Sequence, residues 1–192
     1  MEYKDYLKFY PDFPIKGVNF VDIIPFLQDK AVFQSMIADL GKLCLSPNIA
    51  APEARGFLFA APMLHSCDHV QNVIPIRKKG KLPYKEGDLV GIDIQKEYGK
   101  DTLFFRLSDF AAGKVNGEYI DVTFFDDILA TGGTSYGVTS YLNKTTVQID
   151  GKTYKIRITD FVFLVELDDL KGRDVLEPIA PVKSLIRLAG TD

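Results

Sequence analysis

Two adjacent carboxylates, followed by a glycine pair set between threonines, are the residues of this chain best suited to chemistry. They stand in Asp126-Asp127-Ile128-Leu129-Ala130-Thr131-Gly132-Gly133-Thr134. Glycine lets a main chain approach a ligand closely, and N–H groups at the start of a helix favour an anion. Residues 131–134 can therefore wrap a phosphate, with the threonine hydroxyls as further donors. Asp126 and Asp127 stand where carboxylates could accept hydrogen bonds from sugar hydroxyls. A lone Asp-Asp or Gly-Gly pair reads more simply as a capped turn with solvated acids; the whole run, from strand through acids and glycines to helix, points to a sugar phosphate. No G-x-x-x-x-G-K-[ST] string occurs, so a phosphate here is held without a lysine hook. A second charged group, Arg77-Lys78-Lys79-Gly80-Lys81, lies between a buried strand and a loop that bears Glu97. In isolation such a run is a solvated face; its position argues for an anion. His65, Cys67 and His69, near the end of a helical stretch, read as structural residues rather than as metal ligands.

These groups need a scaffold that brings strand ends together. Residues 122–125 are a short apolar run, expected to form a buried strand ending at the acids, and residues 136–142 suit a helix after the glycines. Upstream, Val32, Phe33, Met36, Ile37, Leu40, Leu43 and Cys44 recur at helical spacing behind Asp29, a helix N-cap, and Pro47 ends that helix. Residues 11–25 hold three prolines and one glycine, which favours an irregular, extended segment. Residues 48–51 are a short apolar piece, residues 57–64 could begin another helix, and residues 73–76 read as a buried strand. Residues 77–99 are polar and broken by glycines and Pro83, the pattern of a long exposed loop or arm. Residues 103–107 suit a strand, and Asn116-Gly117 marks a turn. Asp150-Gly151 joins 147–149 to 154–158 as a hairpin. Residues 161–167 form the most apolar strand. Helices alternating with short buried strands predict an α/β fold whose sheet is mainly parallel and covered on both faces.

Composition bounds the rest. With 192 residues, 46% hydrophobic and 26% charged, the chain suits a single domain with its own core. The net charge of −3 offers no global attraction to nucleic acid or anionic lipid. Cys44 and Cys67 are too few for a disulfide framework, which predicts a reducing, cytoplasmic setting. Residues 1–10 lack the apolar core of a signal peptide, and no run reaches the roughly 18 apolar residues of a membrane span.

The run Phe124-Phe125-Asp126-Asp127-Ile128-Leu129-Ala130-Thr131-Gly132-Gly133-Thr134 resembles the signature with which type I phosphoribosyltransferases bind 5-phosphoribosyl-1-pyrophosphate (PRPP). Further strings are similar to those of the adenine phosphoribosyltransferase family. They are Tyr10-Pro11-Asp12-Phe13-Pro14 with Gly17-Val18, Pro52-Glu53-Ala54-Arg55-Gly56-Phe57, Arg77-Lys78-Lys79-Gly80-Lys81-Leu82-Pro83, Glu97-Tyr98-Gly99, Val165-Glu166-Leu167 and Leu170-Lys171-Gly172-Arg173. They follow the family order across residues 10–173. The chain departs from the family pattern at Val21, where a basic residue is usual, at Ala51, where a glycine is usual, and in a longer stretch at 143–160.

The resemblance implies a type I phosphoribosyltransferase fold: one domain over residues 1–192, a mainly parallel twisted sheet flanked by helices, a small base-binding hood within 1–28 and a flexible catalytic arm at 77–101. It implies purine salvage, with adenine and PRPP converted to AMP and pyrophosphate. The alternatives are transfer to hypoxanthine, guanine or xanthine, or a non-catalytic PRPP-binding regulator. Regulators of that kind carry a DNA-binding domain ahead of the transferase part, for which motifs beginning at Tyr10 leave no room, so no nucleic-acid or membrane partner is expected. By the same resemblance Asp126 and Asp127 hold the ribose hydroxyls, and Ala130, Thr131, Gly132, Gly133 and Thr134 the 5-phosphate. Arg55 meets the pyrophosphate with Arg77, Lys78 and Lys81, across a homodimer interface. The base lies between Phe20 and Ile128, its polar edge read by main-chain groups near Asn19. Glu97 is the catalytic glutamate and Tyr98 its neighbour on the lid, while Arg55 supports catalysis from the pyrophosphate side. Mg²⁺ is carried by PRPP oxygens and water, with no metal site built from side chains.

Overall fold

Asp29 has an extended backbone, and its carboxylate accepts the N–H groups of Ala31 and Val32. Two donors left orphaned at a helix start are thereby met, and α1 (Lys30–Leu43) begins where the sequence predicts. Its buried residues Val32, Met36, Ile37 and Leu40 form a stripe at three- and four-residue spacing. The computed structural model describes residues 2–96 and 99–190. Before α1 the chain forms a hairpin of β1 (Lys8–Pro11) and β2 (Asn19–Asp22), with Pro11 opposite Asn19, and then a 3-10 turn, Ile24–Gln28. Three prolines thus hide a short ladder: Pro11 sits at a strand end and the others fall outside the strands, where no ladder N–H is needed.

The remaining strands are β3 (Asn48–Pro52), β4 (Asn72–Lys78), β5 (Leu89–Lys96), β6 (Gly99–Arg106), β7 (Tyr119–Leu129), β8 (Thr146–Ile149), β9 (Lys152–Leu167) and β10 (Val182–Leu188). They form one sheet in the order β10-β9-β7-β3-β4-β6-β5, with β8 pairing on β9. The pairs from β10 through β9, β7 and β3 to β4 are parallel, and β6 pairs antiparallel with both β4 and β5. The helices are α2 (Arg55–Ser66), α3 (Leu107–Ala111), α4 (Gly133–Leu142) and α5 (Gly172–Leu176).

Strand alternation sends successive side chains to opposite faces. Phe124 and Phe161 join Phe110, Val138 and Leu142 in one core, on the side of α3 and α4. Their neighbours Phe125 and Val162 join Met36, Leu40, Phe59 and Met63 in another, beneath α1 and α2. Val21, Ile23 and Phe26 belong to that second core, so the N-terminal hairpin is anchored by burial worth roughly 1.5–3 kcal/mol per large side chain.

Three expectations change. β7 runs on through Asp126 and Asp127 to Leu129, because β9 continues to pair with it, Leu129 opposite Glu166. The exposed loop expected over 77–99 contains β5, whose Ile92 and Ile94 are buried; the alternation Val90, Ile92, Ile94 is the strand signal that glycines and charges obscured. Leu107 opens α3 rather than ending a strand. The Asp150-Gly151 turn is as expected: both residues have positive φ (49° and 76°) and Ile149 faces Lys152, the geometry of a two-residue hairpin.

One buried acid ties the layers together. Asp160 is fully buried; it accepts from Thr123 Oγ1 (2.7 Å), the Leu45 N–H (3.1 Å) and Lys183 Nζ (3.2 Å), joining β7, β9, β10 and the segment after α1. Asp160→Ala leaves Lys183 and these donors without their acceptor. It is expected to lower the unfolding free energy by roughly 3 kcal/mol, read from urea denaturation midpoints; a loss below about 1 kcal/mol would mean that the network contributes little.

Candidate active site

The phosphate-sized part of the site comes straight from local chain geometry. After β7 the backbone turns through Ala130 and Thr131 to Gly132, the N-cap of α4, with φ 78° and ψ −2°. That left-handed conformation suits glycine. A side chain at 132 would also meet the backbone of Gly172, its Cβ 2.9 Å from the Gly172 oxygen. The turn surrounds a cavity of 140 Å³ lined by Asp126 and Ile128 through Ser135. The first N–H groups of α4 have no intrahelical acceptor and carry the positive end of the helix dipole, the arrangement that binds phosphate.

The acids lie on the approach to this turn. Asp126 Oδ1 accepts the Asp127 N–H at 2.8 Å. Burial first, then the adjacent Asp127 charge, pushes the Asp126 carboxyl well above its ordinary value, and Arg55 offsets this only in part. Asp127 is 6% exposed, and its Oδ2 lies 2.6 Å from Arg55 Nε. This ion pair is close but not aligned as a hydrogen bond, so Asp127 Oδ2 remains a buried acceptor without a hydrogen-bond donor. A carboxylate so placed suits a ligand hydroxyl. Arg55 opens α2 just after the cis Glu53–Ala54 peptide.

Beside the acids lies a larger cavity of 650 Å³, lined by Asn19, Phe20, Val21, Arg55, Ile128 and Ala130 among others. Ile128 and Ala130 line both cavities, so the two are neighbours across one residue pair. The Arg55 guanidinium lies over the Phe20 ring, 5.5 Å from its centroid, and Phe13 meets Phe20 edge-on at 5.2 Å. The site is thus an apolar slot beside an anion cradle: Asp126 lines the cradle, and Asp127, which lines neither cavity, meets the slot through Arg55.

The structure brings together Asn19, Phe20, Arg55, Asp126, Asp127, Ile128 and Ala130 to Thr134. It does not bring Arg77, Lys78 or Lys81 to either cavity. Arg77 pairs with Glu53 at 2.7 Å and donates to the Lys81 carbonyl, while Lys78 and Lys81 are exposed. Glu97 and Tyr98 lie outside the described residues; β5, which leads to them, packs on α4 with Ile94 beside Gly137. Among the described residues no three His, Cys, Asp or Glu side chains cluster to hold a metal, and His65 and His69 are exposed. Burial pushes the Cys44 thiol up to about 12, so it is no nucleophile. Val21 is buried and lines the larger cavity. Leu167, Asp169 and Leu170 also line it and were assigned no role from sequence. Their position just beyond the carboxyl end of a buried strand is the signal that could have found them.

Comparison with known proteins places the chain among enzymes of one kind. No family model matches it. The adenine phosphoribosyltransferase of Methanococcus maripaludis is 34% identical over 190 residues, covering 97% of this chain and 98% of that protein. The adenine phosphoribosyltransferase of Kosmotoga olearia is 37% identical over 179 residues, covering 92% and 94%. The crystal structure of the Thermoanaerobacter pseudethanolicus adenine phosphoribosyltransferase superposes with a TM-score of 0.79 at 35% identity, over 97% of this chain and 98% of that one. The Saccharomyces cerevisiae adenine phosphoribosyltransferase, complexed with adenine and an imino-altritol bisphosphate, gives 0.77 at 31% identity over 96% of each chain.

The raised Asp126 carboxyl has a consequence for stability. A group that holds its proton more tightly when folded favours folding fully in acid; that contribution is lost as pH climbs from 3.8 through the raised value. Asp126→Asn removes the charge but keeps an oxygen for the Asp127 N–H. Without ligand, the variant should melt with wild type below pH 3.8 and a few degrees higher at neutral pH. Thermal scans across pH decide it; a variant no more stable at neutral pH would show that the acid pair is not strained.

Proposed function

As this chain belongs to the adenine phosphoribosyltransferase family, we propose that it transfers the phosphoribosyl group of PRPP to N9 of adenine, giving AMP and pyrophosphate. One observation carries the reading: the apolar slot at Phe20 and Ile128 adjoins the Gly132 cradle through shared lining residues, with Asp126 on the cradle and the donor-less Asp127 Oδ2 against Arg55 of the slot. That series matches base, ribose and 5-phosphate of a nucleotide.

Each part then has a task. Phe20 and Ile128 flank the base, and main-chain groups near Asn19 read its polar edge. Asp126 and Asp127 accept from the ribose hydroxyls, and residues 130–134 hold the 5-phosphate. This fixes the anomeric carbon between N9 and the departing pyrophosphate, and such positioning lowers the barrier substantially. As the C1′–O bond breaks, negative charge gathers on the pyrophosphate oxygens. Arg55, released from Asp127, stabilises that charge with Arg77, Lys78 and Lys81, the last three acting across the interface of a homodimer. Glu97, between β5 and β6, stabilises or protonates adenine while the N9–C1′ bond forms, the base losing one proton net to solvent as AMP is made, and Tyr98 beside it belongs to an arm, residues 77–101, that closes to exclude water. The carboxylate pair near the cradle, Asp126 and Asp127, fits a Mg²⁺ ion that arrives on PRPP, since a hard cation takes oxygen ligands. Held on PRPP oxygens and water, the ion would neutralise pyrophosphate charge. The enzyme works in the cytoplasm, as one domain whose hood lies within residues 1–28.

Steady-state assays with PRPP, Mg²⁺ and adenine, hypoxanthine, guanine, xanthine or uracil test the reading. AMP formation with adenine is expected, and turnover confined to a 6-oxopurine would overturn it. Glu97→Gln keeps the shape but loses the titratable proton, so kcat should fall roughly 10²-fold or more with the PRPP KM nearly constant. Full kcat in this variant would move the catalytic burden to the cations.

A further inference from the structure

The phosphate cradle rests on a second piece of chain far away in sequence. A Cβ on Gly172 would collide with the Ala130 carbonyl oxygen and come within 2.7 Å of Leu129 Cδ1. Seen from the other side, a Cβ on Gly132 would lie 2.9 Å from the Gly172 oxygen and 3.3 Å from its Cα. The main chain at 172 therefore abuts the main chain at 130–132 with no room for a side chain between them. Lys171, with φ 53°, turns the chain into this contact.

What holds Gly172 there is the next residue. Arg173 Nε and Nη2 donate to Glu166 Oε1 and Oε2 at 2.8 and 2.6 Å, and its Nη1 donates to the Val182 carbonyl at 2.7 Å. Glu166 is 2% exposed and also accepts from Ser184 Oγ at 2.6 Å. Burial pushes the Glu166 carboxyl up, but the hydrogen bonds from Arg173 and Ser184 prevail and hold it below its ordinary value. On β9 Glu166 pairs in register with Leu129 of β7 and Arg187 of β10, so the fork is fixed to the strand beside the start of the cradle. Arg173 lines neither cavity. Bidentate guanidinium–carboxylate pairs set direction as well as distance.

We propose that Arg173 is a positioning residue for the phosphate cradle, holding the Gly172 backbone against Ala130 and Gly132 through its fork on buried Glu166. This rests on reading residues 130–134 as the seat of the PRPP 5-phosphate.

The test uses ribose 5-phosphate, which probes the cradle without the pyrophosphate or the base, together with steady-state kinetics well below the melting temperature. In Arg173→Gln the dissociation constant for ribose 5-phosphate and the KM for PRPP should both rise about tenfold or more, with the adenine KM within about twofold of wild type. Arg173→Lys should fall between, since lysine keeps the charge and loses the fork. Gly172→Ala, with Arg173 intact, should reproduce the loss. If the variants melt earlier but bind ribose 5-phosphate and PRPP as wild type does, Arg173 is merely structural and the inference is overturned. A wild type that binds ribose 5-phosphate yet transfers nothing to adenine sinks the functional reading alone, and the variants' ribose 5-phosphate affinities still decide the inference. A wild type that binds neither compound overturns both.

Discussion

Two carboxylates on consecutive residues at the end of a strand buried on both faces are costly, and much of the site can be understood as managing that cost. Water is largely displaced from Asp127 and, on the side of α2, from the half-buried Asp126, which keeps an edge on the cradle cavity. Burial together with mutual repulsion pushes Asp126 up, and among the described residues Arg55 is the counter-charge in contact with the pair. The close packing of α2 is part of the arrangement: a Cβ at Gly56 would approach Asp126 Oδ1 to 3.4 Å. Stability sacrificed here is recovered elsewhere in the sheet, for instance at the fully bonded Asp160. A folded state that carries such a defect at one strand end has its most favourable use for a polyol ligand at that same place.

The same economy of space shapes the cradle. Gly132 and Gly172 lie on segments forty residues apart; the backbone of Gly172 excludes a side chain at 132, and Ala130 with Leu129 excludes one at 172. A phosphate is bound by main-chain groups only when those groups are already aimed, because ordering them on binding would consume affinity. Rigidity here comes from backbone touching backbone, supported by a buried ion pair, rather than from a long side chain reaching in.

How much of this was legible beforehand depended on sequence separation. The strand, acids, glycines and helix of residues 122–142 are contiguous, so their chemistry could be read directly, as could the Asp29 cap and the Asp150-Gly151 turn. Strand β5 was obscured because its short alternation, Val90, Ile92 and Ile94, is set among glycines, charges and Pro83 that read as loop, and residues 8–22 because prolines mask a short ladder. The length of β7 was underestimated since its last residues are kept in the sheet by β9, a partner absent from any local window. Arg55 was named as a site residue from resemblance alone; that it touches both Asp127 and Phe20 is a tertiary fact. The places of Leu167 and Leu170 on the larger cavity and of Gly172 against the cradle backbone are likewise long-range, and their strings had no assigned task until the sheet set them beside β7.

Arg55 has a thermodynamic consequence. Its guanidinium is shared between the ring at one end of the site and the carboxylate at the middle. A molecule that settles on the Phe20 face must compete with a tethered cation, and one that engages Asp127 must compete with the same cation. Occupancy at either place therefore changes the free energy of occupancy at the other, and the two effects are equal in size by reciprocity. On the proposed reading, base and sugar phosphate would not bind independently in a site whose two halves already hold one side chain in common.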